Sequence, residues 1–339
     1  MFKEYLNKII NRENLTTEEI EYMIDRILTN KCANSQIGAF MAALASKGET
    51  FEEIAGAALA MRRKAFRIQV AGATVADTVG TGGDFSNTFN ISTTTAFVTA
   101  GCGVTVAKHG NRSVSSKCGS ADVLEALGVK IETHPEIVEE AINEIGIGFL
   151  FAPLYHGAMK YAAKARKEVG IRSIFNMLGP LTNPAGANCQ LIGVYALHLT
   201  ETFANVLKIL GSKKASVVCG HDGLDEITVC DLTRISELKK GEIKSYDINP
   251  SDYFGRLAPI ESIKGGDARL NAKITNDILN GEKGDKRNIV LINTAATLVA
   301  AEKADSYQAG IKMAEESIDS GEAKDKLERL IEFTRENSL

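Results

Sequence analysis

The chain has no surplus of charge of either sign: in 339 residues, 39 lysines and arginines stand against 43 aspartates and glutamates, a formal net charge of −4. That near-balance excludes the broad field that draws a protein to nucleic acid or to an anionic membrane, so any phosphate it binds must be met by local groups. The six cysteines, at 32, 102, 118, 189, 219 and 230, form no C-x-x-C pair, and the five histidines, at 109, 134, 156, 198 and 221, fall at no zinc spacing. The cysteines read as reduced, mostly buried thiols. No apolar run approaches membrane-spanning length, and "MFKEYLNKIINREN" intersperses charges where a signal peptide has an apolar core. A soluble, cytoplasmic protein is expected, with neither nucleic acid nor membrane as partner. Two phosphate-binding motifs are also missing. Gly-Lys-Ser/Thr occurs nowhere, and the dinucleotide fingerprint would need glycine where the chain has Phe85.

What is present is apolar sequence for a sizeable core, 44% of the residues, arranged in two styles. Residues 1–67 carry only helical signals. Phe2, Tyr5, Leu6, Ile9 and Ile10 make one stripe. Thr16 with Glu19 forms a capping box for a second, Ile20, Met23, Ile24, Ile27 and Leu28; Thr50 with Glu53 starts a helix through Met61, and Ser35 can cap "QIGAFMAALASKG". Four short helices cannot bury all these faces alone, so they are expected to pack on the main domain or on a second subunit. From residue 68 to 339 the pattern becomes short β-branched runs alternating with helices: "VADTV", "VTVAKH", "VKIET", "IGFLFAP", "CQLIGVY", "ASVVCG" and "NIVLIN". The expected fold is α/β: a small all-helical domain plus a large α/β domain with a mainly parallel central sheet and its site at the carboxyl ends of the strands. Residues 227–248 read as antiparallel strands around a turn at Gly241, and helical segments near 160–185 are expected to act as a hinge packed on the small domain.

Four loops at expected strand ends concentrate the chemistry. "DTVGTGGD", Asp77 to Asp84, is either a tight structural turn or a phosphate cradle, because glycine reaches φ > 0 and lets main-chain N–H groups approach an anion. It runs on into "FSNTFNISTTT", whose Asn87, Thr88, Asn90, Ser92, Thr93 and Thr94 gather hydroxyls and amides at a helix start. "KHGNRSVSSKCGSADVLEALG", Lys108 to Gly128, brings cation, amide and hydroxyl donors to a loop before a helix capped at Ser120, which suits a phosphorylated sugar or else a solvated basic loop. A third stretch holds Lys160, Lys164, Arg166, Lys167 and Arg172; Arg166 or a neighbour could grip a planar carboxylate, though a charged run is also what a solvated helix face looks like. In "CGHDGLDEIT" the acids Asp222, Asp225 and Glu226 offer the hard oxygens that magnesium takes alongside water and phosphate, or simply start a helix.

Together, "GTGGD", "NIST", "KHGNRSVSSKCGSADVLEALG", "RSIFNMLGPLTNPA" and "GHDGLDEI" resemble the anthranilate phosphoribosyltransferases, which act at the second step of tryptophan biosynthesis. The likeness spans the whole chain. It implies a nucleoside phosphorylase-like fold, a homodimer built through the helical domains, and transfer of phosphoribose from 5-phosphoribosyl 1-diphosphate (PRPP) to the amine of anthranilate. By the same resemblance PRPP is met by Gly80, Gly83 and Asp84, then by Thr88, Asn90, Ile91, Ser92 and Thr93. The grip is completed by Lys108, His109, Gly110, Asn111, Arg112 and Ser113, continuing through Val114, Ser115, Ser116 and Ser120. Anthranilate is met by Gly80, Asn111 and Arg166. Magnesium, two ions per subunit, is held by Ser92, Asp225 and Glu226. No residue is expected as general acid or base, since an aromatic amine is already neutral at pH 7; His109 and His156 stand near the amine or serve structure. Two other readings are a pyrimidine nucleoside phosphorylase-like enzyme and a non-catalytic nucleic-acid-binding relative, the latter calling for a basic surplus that this chain lacks.

Overall fold

The computed structural model describes residues 1–72, 74–84, 86–113 and 117–337. Its first helices are α1 (Phe2–Ile10), α2 (Thr17–Leu28), α3 (Asn34–Lys47) and α4 (Phe51–Lys64). Two start as their capping boxes require: Thr16 Oγ1 accepts from Glu19 N–H at 3.3 Å while Glu19 Oε2 accepts from Thr16 N–H at 3.1 Å, and Thr50 with Glu53 repeats this at 3.3 and 2.8 Å. Each such cap is worth about 1 kcal/mol. Helix α3 starts two residues earlier than a Ser35 cap would allow: Ala33 is its N-cap, and the Ala33 N–H is taken by Gln36 Oε1 at 2.9 Å.

The strands are β1 (Val75–Gly80), β2 (Thr105–Gly110), β3 (Ile147–Phe151), β4 (Cys189–Gly193), β5 (Lys214–Gly220), β6 (Thr233–Lys239) and β7 (Glu242–Ile248). They form one sheet in the order β3-β2-β1-β4-β5-β6-β7. Strands β1 to β5 run parallel, and β6 and β7 add an antiparallel hairpin that turns at Lys240 and Gly241, both at positive φ. The remaining helices are α5 (Ile91–Gly101), α6 (Ser120–Leu127), α7 (Pro135–Ile145), the single turn α8 (Ala152–Tyr155), α9 (Lys160–Val169), the single turn α10 (Ile174–Met177) and α11 (His198–Ile209). They continue with the single turn α12 (Ser251–Phe254), α13 (Ala268–Leu279), α14 (Asp285–Ala300), α15 (Tyr307–Asp319) and α16 (Glu322–Glu336). Among the described residues, no helix is long and apolar enough to cross a membrane.

Strand alternation divides the core between the two faces. Leu191 and Val218 join Phe97, Leu291 and Leu298 on the face covered by α5 and α14, whereas Ile192 and Val217 join Phe203 and Leu207 of α11 on the other. The second cluster continues through Ala162, Ala165, Ile174 and Phe175 into Ile24, Ile27, Phe40 and Met41. The apolar faces of the helical bundle are thus covered by α9, α10 and α11 of the same chain. Arg62 of α4 adds a polar tie, its Nε donating to Leu181 O at 2.7 Å.

Two expected strands are absent from the sheet. "NIVLIN" lies inside α14, where Ile289 to Ile292 are all buried, and a helix apolar on every side carries no helical stripe to read. "VKIET" keeps its period of two, with Val129, Ile131 and Thr133 buried, but its Lys130 N–H goes to Thr334 Oγ1 of α16 at 3.2 Å rather than to a strand.

Candidate active site

The chain leaves β1 for β2 on one side and β4 lies on the other, so the crevice at the carboxyl ends of β1 and β4 is a topological switch point, the usual ligand position in such sheets. The glycine loop 81–84 leaves β1 there. Gly80 pairs in register with Gly193 of β4, and the two lie under Asp225: a Cβ on Gly80 would strike its carboxylate and one on Gly193 its main-chain carbonyl. Asp225 Oδ2 accepts Gly82 N–H at 2.7 Å, and Arg172 Nη2 donates to Gly83 O at 2.8 Å, so the loop is held from both sides. Burial and the negative charge of Asp84 push the Asp225 carboxyl up to about 7. Burial, then Asp225, raises the Glu226 carboxyl well above its usual range, against the pull of Lys108. Asp84 and Asp225 thus add negative charge beside the carboxyl of Glu226.

Helix α5 starts beside these acids. Ser92 hydrogen-bonds Glu226 through its main chain, its carbonyl accepts from Thr78 Oγ1 at 2.9 Å, and its Oγ accepts from Lys108 Nζ at 3.3 Å. Lys108 is buried, and its ammonium also donates to Thr78 O at 2.7 Å, stitching β2 to β1 while burial lowers its pKa. Ile91 and Thr93 are buried; Thr93 Oγ1 has no partner among the described residues. Asn90 caps α5, with Oδ1 accepting from Asn271 Nδ2 at 3.0 Å and Nδ2 donating to Cys118 O at 3.3 Å. Thr88 bridges to Lys264.

From β2, Gly110 packs so closely on Ser120 and Phe149 that a Cβ would clash with both. Asn111 O accepts from Ser120 Oγ at 3.2 Å. Ser120 is the first residue of α6 and not its cap: Gly119 is, and Asp122 Oδ2 accepts Gly119 N–H at 2.8 Å and Ser113 N–H at 3.2 Å. Arg112 points to α6, donating to Asp122 at 3.2 Å and Glu125 at 2.9 Å. Val114, Ser115 and Ser116 lie outside the described residues.

Arg166 on α9 is half-buried, lies 5.7 Å from the Phe175 ring centroid and has no carboxylate partner among the described residues; burial lowers its pKa. The His109 and His156 rings stand 5.2 Å apart, both held neutral by burial with pKa values near 3 and 4, and the Nε2 atom of each is without a partner among the described residues. His109 Nδ1 lies 3.1 Å from Gly179 O. Asp77, which flanks the glycine loop in sequence, faces the other way: buried, it accepts from His109 N–H at 3.1 Å and Asn183 Nδ2 at 2.8 Å, and burial raises its carboxyl to about 6.

Sequence reasoning missed Gly193 and Tyr195, and placed Arg172 only among the cations of its stretch. Gly193 ends "CQLIG" with no local signal; only the strand order brings it beside Gly80. Among the described residues no three His, Cys, Asp or Glu side chains form a ready-made metal cage. The oxygens present are nonetheless hard carboxylates and a hydroxyl, which suit a small divalent cation that keeps water and substrate oxygens in its shell.

Fold and site define a glycosyl transferase of two-domain type: residues 3–65 match the family described as "Glycosyl transferase family, helical bundle domain" and residues 72–324 its "a/b domain". The anthranilate phosphoribosyltransferase of Desulfosudis oleivorans is 63% identical over 338 residues, covering 99% of this chain and 100% of its own. A crystal structure of anthranilate phosphoribosyltransferase from Thermus thermophilus superposes with a TM-score of 0.92 at 41% identity, covering 97% of this chain and 99% of its own. The Saccharomyces cerevisiae enzyme in complex with PRPP and Mg gives 0.90 at 28% identity, covering 99% and 98%. The chain belongs to the anthranilate phosphoribosyltransferase family.

Proposed function

We propose that the protein transfers the phosphoribosyl group of PRPP to the amine of anthranilate, giving N-(5-phosphoribosyl)anthranilate and diphosphate, a step of tryptophan biosynthesis. One observation carries the reading: the loop 81–84, anchored on Asp225 and Arg172, stands at the switch point beside the acids Asp84, Asp225 and Glu226. A diphosphate fits there with its charge met by N–H groups and a cation. Gly80, Gly83, Asp84, the start of α5 from Thr88 to Thr93, and Lys108 to Ser116 with Ser120 are our candidates for PRPP. Ser92, Asp225 and Glu226 are the candidates for magnesium, at two ions per subunit. When bound, the cation neutralises charge that gathers on the departing diphosphate.

Breaking the C1–O bond leaves positive charge on the ribose, so the reaction turns on stabilising the leaving group and on holding the acceptor amine near C1. The amine needs no strong base. Arg166 is our candidate for the acceptor grip: a half-buried guanidinium without a carboxylate partner among the described residues is matched by the carboxylate of anthranilate, and Asn111 and Gly80 are the further candidates for that acceptor. The same feature favours this acceptor over a nucleoside base.

Loss of anthranilate fluorescence on mixing purified protein with PRPP and magnesium tests the function; no loss would overturn it. Within that assay, Arg166→Ala is expected to raise the KM for anthranilate about ten- to a hundred-fold, from the roughly 1.5 to 3 kcal/mol of a charge-assisted contact. The KM for PRPP should stay within about twofold. The reverse pattern would move Arg166 to the donor side.

We further propose a homodimer through the helical domain. Its larger apolar stripes are covered within the chain, but Ile10 of α1 and Ala39 and Ala42 of α3 stay exposed on adjacent helices. Sedimentation at micromolar concentration should give twice the mass of one chain; a monomer would count against it.

A further inference from the structure

Two successive glycines at positive φ, Gly82 at 68° and Gly83 at 80°, leave the loop after β1 with little conformational preference of its own. Its shape comes from what holds it. Asp225 takes the Gly82 N–H on one side, and Arg172 takes the Gly83 carbonyl on the other. Arg172 is itself braced: its guanidinium carbon lies 3.7 Å from the ring centroid of Tyr195, just beyond β4. The arrangement requires glycine at 83, because a Cβ there would run into the guanidinium. A chain of contacts thus runs from the carboxyl end of β4 through Tyr195 and Arg172 to the loop.

Peptide geometry supplies the consequence. The Gly83 carbonyl and the Asp84 N–H belong to one planar trans unit and point in opposite directions. With the carbonyl fixed on Arg172, the Asp84 N–H is turned away from that side chain. We propose that Arg172 is a positioning residue for the phosphoribosyl donor: it fixes the Gly83–Asp84 peptide so that the N–H faces the diphosphate, and it ties this loop to the segment carrying Arg166. The inference rests on reading the loop as the donor's cradle.

The segment makes the tie useful. Helix α9 and the turn α10 pack against α2 and α3 of the bundle, and Arg166 sits on α9. Acceptor grip and donor loop therefore meet in one stretch of chain, with Arg172 as its end on the donor side.

The test uses Arg172→Ala and Arg172→Lys in the full chain, with two readouts. Hydrogen exchange of the free protein reports the loop: in Arg172→Ala the amides from Gly82 to Thr88 should exchange at least about tenfold faster, with the strands unchanged. Steady-state kinetics should show the KM for PRPP raised about tenfold or more and that for anthranilate within about twofold, with Lys intermediate and millimolar guanidinium restoring part of the loss in the Ala variant. Raised KM with wild-type exchange would overturn the proposal, because Arg172 would then grip the diphosphate directly. Wild-type KM in folded Arg172→Ala would overturn it as well. Should Arg172→Ala not fold, Arg172→Lys decides by the same two readouts, with wild-type values refuting the proposal. If the wild-type protein turns over neither substrate while loop exchange still responds to Arg172, the assigned function fails and the clamp on the loop stands.

Discussion

Asp225→Asn and Glu226→Gln are each expected to lower kcat/KM for PRPP by about 100- to 1,000-fold, roughly 2.7 to 4 kcal/mol of lost transition-state stabilisation. The two substitutions remove charge while nearly preserving shape. An amide oxygen at 225 can still accept the Gly82 N–H, now 2.7 Å from Asp225 Oδ2, so the loop keeps that anchor. At 226 the main-chain contact to Ser92 can likewise survive, while Lys108 loses a negative neighbour. What goes in either case, on the proposed assignment, is a hard anionic ligand for the cation that would compensate the leaving diphosphate. Kinetics at varied magnesium should show both variants needing more metal, and excess chelator should silence the wild type. Wild-type constants in both variants, or full activity in chelator, would sink the assignment of these acids.

Gly193→Ala is the second large effect, expected to cut kcat/KM about 100-fold and stability by about 1 to 3 kcal/mol. The new methyl would fall on the main-chain carbonyl of Asp225, and a main chain cannot swing aside as a side chain can. Asp225 must shift, and its carboxylate and the Gly82 N–H shift with it. Gly157→Ala is the matched control: it follows His156, has open space around it and no positive φ, so both properties should stay near wild type. Comparing kcat/KM and urea midpoints of the two variants decides the matter. A Gly193→Ala protein as active as Gly157→Ala would show that the close packing at β4 does not position the acid.

Much of this was legible in the sequence because the signals were local. Caps at Thr16 and Thr50 fix helix starts through neighbours three residues away, and the β-branched runs that became β1 to β5 are each bounded by turns. The failures arose where the deciding partner is far along the chain. "NIVLIN" is apolar all round because α14 is packed between the sheet and α5 and α15, and nothing in six residues distinguishes such a helix from a buried strand. "VKIET" alternates faithfully, yet its donor is taken by α16, 204 residues on in sequence. At the site, Asp84, Asp225 and Glu226 announced themselves by type and spacing. Gly193 did not, since its importance is a property of sheet order. Asp77 stands at the other end of the same motif from Asp84, but strand alternation turns it into the core to hold Asn183 and His109.

The apolar cluster that runs without a break from the bundle helices through α9 and α10 to the sheet also governs how disturbances spread. Domains that meet across a wet, polar boundary can melt or mutate independently. Here the boundary is interior, so the bundle and the crevice are expected to unfold as one cooperative unit. A cavity opened at Ile24 or Phe40 loosens the seat of α9, and with it the stretch that ends in Arg172 and the glycine loop. Substitutions far from the crevice are therefore expected to reach the glycine loop through this packing, with the small domain acting as a thermodynamic ballast for its order.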